Sequence, residues 1–191
     1  MSYQMTYSFY GTTIPVFKRI NNSAINTLTV AQTEIANGLP ISEQELLDAS
    51  IGDMLPLRTQ PGLLARFQAV PLEALKLTSA PIPAMDSGYT SLAEMVDFFK
   101  AMNEVLDAVD EKAFNESAEK QFEVQIAGKM LKISGLADYL YGYVVPNSFF
   151  HLNVIYMLLR SKGFKLGKRV YTSSWMSEQL TADFAPLRAP A

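Results

Sequence analysis

Apolar residues recur at helical spacing in four long stretches of this chain, and one short stretch alternates instead. Val16, Phe17, Ile20, Ala24, Ile25, Leu28 and Ala31 line one side of a predicted first helix. That helix is expected to start near Thr13 with Pro15 in its first turn, where the missing N–H costs nothing, and to stop at Asn37-Gly38. Ser42-Glu-Gln-Glu45 has the form of a capping box and opens a short helix through Leu46 and Leu47. A second long stretch, 57–79, contains Pro61-Gly62 and Pro71, which predict either two shorter helices or one kinked helix. Ser91-Leu-Ala-Glu94 is another capping box, ahead of Met95, Phe98, Phe99, Met102 and Leu106.

Between Gln121 and Ile133 the period changes to two, with Phe122, Val124 and Ile126 on one face and Gly128 at the turn, as a β-hairpin requires. A fourth helix is then expected over 136–161, bent at Pro146 and ended by Gly163. Four long helices and one hairpin predict a mainly all-α fold, an antiparallel four-helix bundle with the hairpin between the third and fourth helices. The reading gives one domain over 1–171 and an extended tail over 172–191, with Pro186 and Pro190 in the tail.

The fourth helix has no Asp, Glu, Lys or Arg from Tyr139 to Leu159, yet it carries a polar series: Tyr139, Tyr143, Asn147 and His151. Residues four apart share a helix face, with a drift of roughly 40° per step. Phenol, phenol, carboxamide and imidazole therefore turn toward one side, and in helical bundles ligand sites form between facing helices.

Composition then narrows the chemistry. His151 is the only histidine and there is no cysteine, so thiolate catalysis and histidine-rich metal sites are excluded; no metal and no cofactor are expected. A net charge of −3 without a basic stripe argues against nucleic acid. The first residues carry no signal-peptide pattern, and the fourth helix holds too many polar residues and prolines for a membrane span. A cytoplasmic protein is expected. Charged residues make up only 18% of the chain, which points to surface covered by a partner, most simply a second copy in a homodimer.

Several short motifs fall in order along the chain: Thr13-Ile-Pro-Val-Phe, Asp53-Met-Leu-Pro-Leu, Pro146-Asn-Ser-Phe-Phe-His151, Tyr156 with Leu159-Arg160, Gly163, and Leu166-Gly-Lys-Arg169. As a set they resemble the uncharacterised family numbered nineteen-ninety-three among the domains of unknown function, over about Tyr7 to Tyr171. That family is similar in fold to the DinB/YfiT-like bundles. The resemblance implies a DinB-like antiparallel four-helix bundle and frequent dimerisation, and it implies no activity. Many DinB-like relatives hold a divalent metal with three histidines, a set that this chain cannot supply. Pro61-Gly62 and Pro71 also depart from the uninterrupted second helix usual in the family.

Each candidate residue has a structural and a functional reading. His151 is either a buried histidine fixing helix contacts or a general acid/base facing a cavity. Tyr139 and Tyr143 are packed aromatics or catalytic phenols, and Asn147 satisfies local backbone or binds substrate. Asp53 and Arg58 form an ion pair with each other, or line a pocket mouth as base and anion clamp. Lys168 and Arg169 are solvated, or bind an anion. Asp107, Asp110 and Glu111 read as ordinary surface, and Trp175 as an aromatic docking the tail onto the bundle. Two functions follow: a metal-free dimeric module binding a small hydrophobic molecule, or a cofactor-independent isomerase, cyclase or lyase using His151 with its Tyr and Asn neighbours.

Overall fold

Ser8 starts the first helix a turn earlier than Thr13, because its hydroxyl accepts the Gly11 N–H and caps α1 (Phe9–Ala36). Pro15 consequently lies inside the helix instead of in its first turn. The computed structural model describes residues 7–85 and 88–188; the N-terminal residues read for a signal and Pro190 fall outside that range. α1 ends at Asn37, and Gly38 follows at φ 92°, a left-handed conformation that glycine reaches without strain.

Both capping boxes form. Ser42 accepts from Glu45 N at the start of α2 (Glu43–Leu47), and Ser91 from Glu94 N at the start of α4 (Leu92–Asp107). Between them α3 (Gln60–Ala74) follows a short 3-10 turn, Leu57–Thr59. The prolines divide α3 less than expected. Pro61 occupies its first turn, where no N–H is needed, and Pro71 lies close to its C-terminal end.

α5 (Glu111–Asn115) leads to the hairpin, β1 (Phe122–Ile126) and β2 (Lys129–Ile133), whose antiparallel register sets Phe122 opposite Ile133 and Ile126 opposite Lys129. Phe122 and Val124 are buried and Glu123 and Gln125 exposed, as the alternation predicts. The two turn residues, Ala127 (φ 49°) and Gly128 (φ 77°), both have positive φ, as a type I′ turn demands.

The fourth helical segment contains a feature the sequence pattern does not show. α6 (Leu136–Tyr139) widens into a π-turn over Leu140–Val144 before α7 (Val145–Ser161) resumes. Pro146 explains its position. Proline has no N–H to give the carbonyl four residues back, at Gly142, and its ring crowds that turn. A looser turn just upstream relieves both.

The four longest helices pack in a closed order: α1 against α4, α4 against α3, α3 against α7, and α7 against α1. Side-chain contacts fix two directions. Lys18 reaches Asp107 while Asn21 and Asn22 reach Asn103, so α1 and α4 run oppositely. Tyr143 meets Phe67, Ser148 meets Leu64 and His151 meets Gln60, so α3 and α7 do too. Phe17, Ile20, Leu28, Leu64, Phe99, Met102, Leu152 and Ile155 fill the core between them.

Over its described residues, up to Arg188, the tail is not extended. It folds into α8 (Lys168–Thr172), a 3-10 turn at Ser173–Trp175, α9 (Glu178–Asp183) and a final 3-10 turn at Ala185–Arg188. Ser177 caps α9 by accepting Leu180 N. Ser174 Oγ donates to Arg19 O, Ser23 Oγ donates to Tyr171 O, and Trp175 stacks on Phe149 with ring centres 5.3 Å apart. Those contacts hold residues 171–175 against α1 and α7, while α9 and the final turn are largely exposed. Among the described residues no helix is long and apolar enough to cross a membrane.

Candidate functional site

The polar series of the fourth helix splits between two environments. At its C-terminal end, His151 Nδ1 and Gln60 Oε1 are 2.8 Å apart across the α3–α7 contact. Gln60 is buried, and its Nε2 donates to Leu55 O at 2.7 Å. A carbonyl can only accept, so the Gln60 amide must present Oε1 to the imidazole, and Nδ1 must be the protonated nitrogen. Burial also lowers the His151 pKa below its ordinary 6.5, which favours the neutral ring. His151 therefore stands oriented and neutral near pH 7, with the Nε2 lone pair making no hydrogen bond among the described residues. Its partner, Gln60, comes from the facing helix and not from its own.

One turn toward the N-terminus, the buried Ser148 hydroxyl donates to Leu64 O at 3.1 Å and accepts from Gln68 Nε2 at 3.3 Å. Gln68 Oε1 and Asn147 Nδ2 are buried without hydrogen-bond partners. Asn147 thus does not repay the backbone around Pro146. Gln60, Leu64 and Gln68 recur every four residues on α3, the same spacing as Tyr143, Asn147 and His151. Two glutamines eight apart on an otherwise apolar face are the signal that would have located this seam.

At the other end, Tyr139 immediately precedes the π-turn and Tyr143 lies within it. Their rings are 5.6 Å apart; Tyr139 also meets Phe122 edge-on at 5.2 Å, and Tyr143 meets Phe67 at 5.0 Å. Tyr139 is buried and its hydroxyl has no hydrogen-bond partner. Burial, reinforced by Tyr143 and opposed by Arg66, pushes its pKa well up, so the phenol stays protonated.

Both tyrosines line a cleft of about 500 Å³ between the π-turn and the hairpin. Ile126, Leu131, Ile133, Ser134, Asp138 and Gly142 complete most of its wall. This volume lies in the range of small-molecule sites. Asn147 and His151 are not part of the lining, so the four-residue series does not surround a single cavity.

The remaining candidates lie elsewhere. Arg58 pairs with Asp48 and donates to Tyr89 O, while Asp53 is exposed and forms no ion pair with it. The expected Asp53–Arg58 pair is therefore replaced by Asp48–Arg58, which ties α2 to the start of α3. Lys168 and Arg169 are exposed on α8, a helix packed against α1, and do not line the cleft. Asp107, read as plain surface, receives the ammonium of Lys18, a lysine buried in the core. Asp110 caps α5 through Ala113 N.

The family model described as Domain of unknown function (DUF1993) matches residues 9–172. The chain belongs to this family. In structure it is similar to a DinB family member protein from Shewanella denitrificans, known from a crystal structure at 1.83 Å resolution. The two share 23% identity with a TM-score of 0.70, over 85% of this chain and 90% of that one. At that identity the likeness speaks to the fold alone. No curated protein matches the chain.

The three-histidine metal site of many DinB-like relatives does not fit these residues. One histidine is present in the whole sequence. Among the described residues no three His, Cys, Asp or Glu side chains gather closely enough to hold an ion.

Proposed function

We propose that this DUF1993 chain is a metal-independent, DinB-like antiparallel four-helix bundle that acts as a homodimeric module binding a small hydrophobic molecule. The observation that carries the reading is the cleft beside the π-turn, with Tyr139 and Tyr143 on one side and Ile126, Leu131 and Ile133 on the other. Apolar and aromatic walls with a few polar groups are what small-ligand sites use. π-turns also occur frequently at functional positions.

The two opposed helix pairs and their closed packing order support the bundle. The domain spans 1–171, with the tail of 172–191 as its C-terminal strap. Dimerisation is supported by the outer side of α7, where Pro146, Phe150, Asn153 and Met157 are exposed and none is charged. Such a neutral face meets a copy of itself without like-charge repulsion.

The enzymatic alternative, an isomerase, cyclase or lyase, rests on one feature: His151 is held neutral and oriented, with Nε2 available as a base. Its separation from the cleft lining favours the binding module. Native mass spectrometry of the purified protein tests the proposal. It expects a dimer mass and, at low activation energy, an additional mass from a co-purifying small molecule or from an added neutral probe such as 2-phenylethanol. A monomer at micromolar concentration contradicts the dimer, and an absence of any retained or added ligand contradicts the module.

A further inference from the structure

Beyond Trp175 the tail carries an apolar stripe that stands open to solvent among the described residues. Leu180 and Phe184 are four residues apart and Leu187 three further on, so they share one side of α9 and the turn that continues it. They are 40%, 45% and 81% exposed. Single exposed apolar residues need no explanation, but three aligned on one short segment do. A helix of six residues is also marginal in water unless it packs one face against something.

The outer row of α7 is the complement. Phe150 and Met157, 54% and 55% exposed, are seven residues apart, the same separation as Leu180 and Leu187. On a helix that is two turns, about 10.5 Å. Laid antiparallel, Leu187 meets Phe150, Phe184 meets the neutral Asn153, and Leu180 meets Met157. The same register brings exposed Glu178 to exposed Arg160, the only Asp, Glu, Lys or Arg of α7. Run parallel, the arm would set Glu178 near Pro146, far from Arg160.

Arm and face belong to one chain, so two copies related by a twofold axis can each give an arm and receive one. Roughly ten arm residues and as many on the receiving face put about twenty per chain in contact, the low end of a standard interface. An arm laid on an unrelated protein would make only half of that contact.

We infer that the segment 178–187 crosses to a second copy and docks antiparallel on its α7, with Leu180 on the partner's Met157 and Leu187 on the partner's Phe150, in a reciprocal exchange. This rests on the homodimer reading and names the segment that covers the α7 face. The sequence has no cysteine, so introduced cysteines report contacts without background. Met157→Cys and Leu180→Cys in separate full chains, mixed and oxidised, should give the mixed disulfide ahead of both self-linked products by intact mass. Self-linked products alone would overturn the exchange. With both substitutions in one chain, the disulfide should form between chains; closure within a monomer would assign the arm to its own α7 and overturn the proposal.

Leu180→Glu with Phe184→Glu should weaken dimerisation at least about hundredfold in sedimentation equilibrium, because two apolar side chains leave the interface. Both positions are exposed in the protomer, so circular dichroism and Trp175 emission should not change. Unchanged dimer affinity in that doubly substituted chain would overturn the exchange and leave the homodimer standing. A parent chain that is monomeric at micromolar concentration would overturn both.

Discussion

His151 and Gln60 are joined at 2.8 Å across the α3–α7 contact, and Gln60 is in turn held by the Leu55 carbonyl at 2.7 Å. This relay fixes the imidazole tautomer and ties the start of α3 to the middle of α7. Replacing Gln60 by Leu keeps the volume but leaves Nδ1 and the Leu55 carbonyl without their partner. Orphaned buried polar groups cost about 1–3 kcal/mol. Urea denaturation of Gln60→Leu should show a loss of that order, and an unchanged midpoint would remove the relay from the stability account.

The same residue sets a pH dependence. Burial holds the His151 pKa below 6.5 in the folded protein, so the unfolded chain binds the proton more readily. The stability contribution of the neutral ring is complete above pH 6.5 and is lost as pH falls through the lower folded value. His151→Phe should flatten the part of the melting-temperature profile that lies below the ordinary histidine range of about pH 6.5. Asp48, held low by Gln44 and Arg58, and Glu94, held low by Thr90, lose their contributions further into acid and should do so in both proteins.

Local chemistry made the hairpin, both capping boxes and the Asn37-Gly38 stop legible, because in each the residues that make the contact are neighbours in sequence. Pairings across helices were not. Gln60 with His151, Asp48 with Arg58 and Lys18 with Asp107 are separated by 91, 10 and 89 residues, and each depends on how two segments meet. The π-turn was hidden for a different reason: Pro146 announces a disturbance, but kink and widened turn answer it equally well. The prolines suggest extended chain, while Ser174 and Trp175 dock the start of the tail on α1 and α7 and Ser177 caps a local helix beyond them. The polar series does not stay together: Tyr139 and Tyr143 line the cleft, while His151 lies at the α3–α7 contact beside Gln60.

Ala127 occupies a left-handed conformation at φ 49° in the hairpin turn. A residue with a Cβ is strained there by roughly 1–2 kcal/mol, and asparagine tolerates the position better. Ala127→Asn should raise the stability by about 1 kcal/mol in thermal or urea unfolding. A loss of stability would mean the turn is not of the I′ kind.

Trp175 is the single tryptophan of the chain, and it stacks on Phe149 of α7. Its fluorescence therefore reports tail docking alone. Trp emission and helical circular dichroism should change in one common transition, and Phe149→Leu should red-shift the native emission and cost on the order of 1 kcal/mol. A tryptophan transition well before the helical one would show the tail to be a separate, weakly held unit.

Elemental analysis of protein purified without chelators should find no stoichiometric zinc or nickel. A single imidazole and no thiol give these metals too few of the nitrogen and sulfur donors they require. One equivalent of either would contradict metal independence.

The most direct measurement compares the two ends of the polar series as ligand contacts: calorimetric affinity for 2-phenylethanol in the parent chain, Tyr143→Ala and His151→Phe. Tyr143→Ala removes a cleft wall and should weaken binding at least about tenfold, equivalent to about 1.4 kcal/mol. His151→Phe should leave affinity within about twofold, a difference of only a few tenths of a kcal/mol, while lowering the melting temperature. Loss of binding in His151→Phe with full affinity in Tyr143→Ala would place the ligand at the α3–α7 seam and contradict the account.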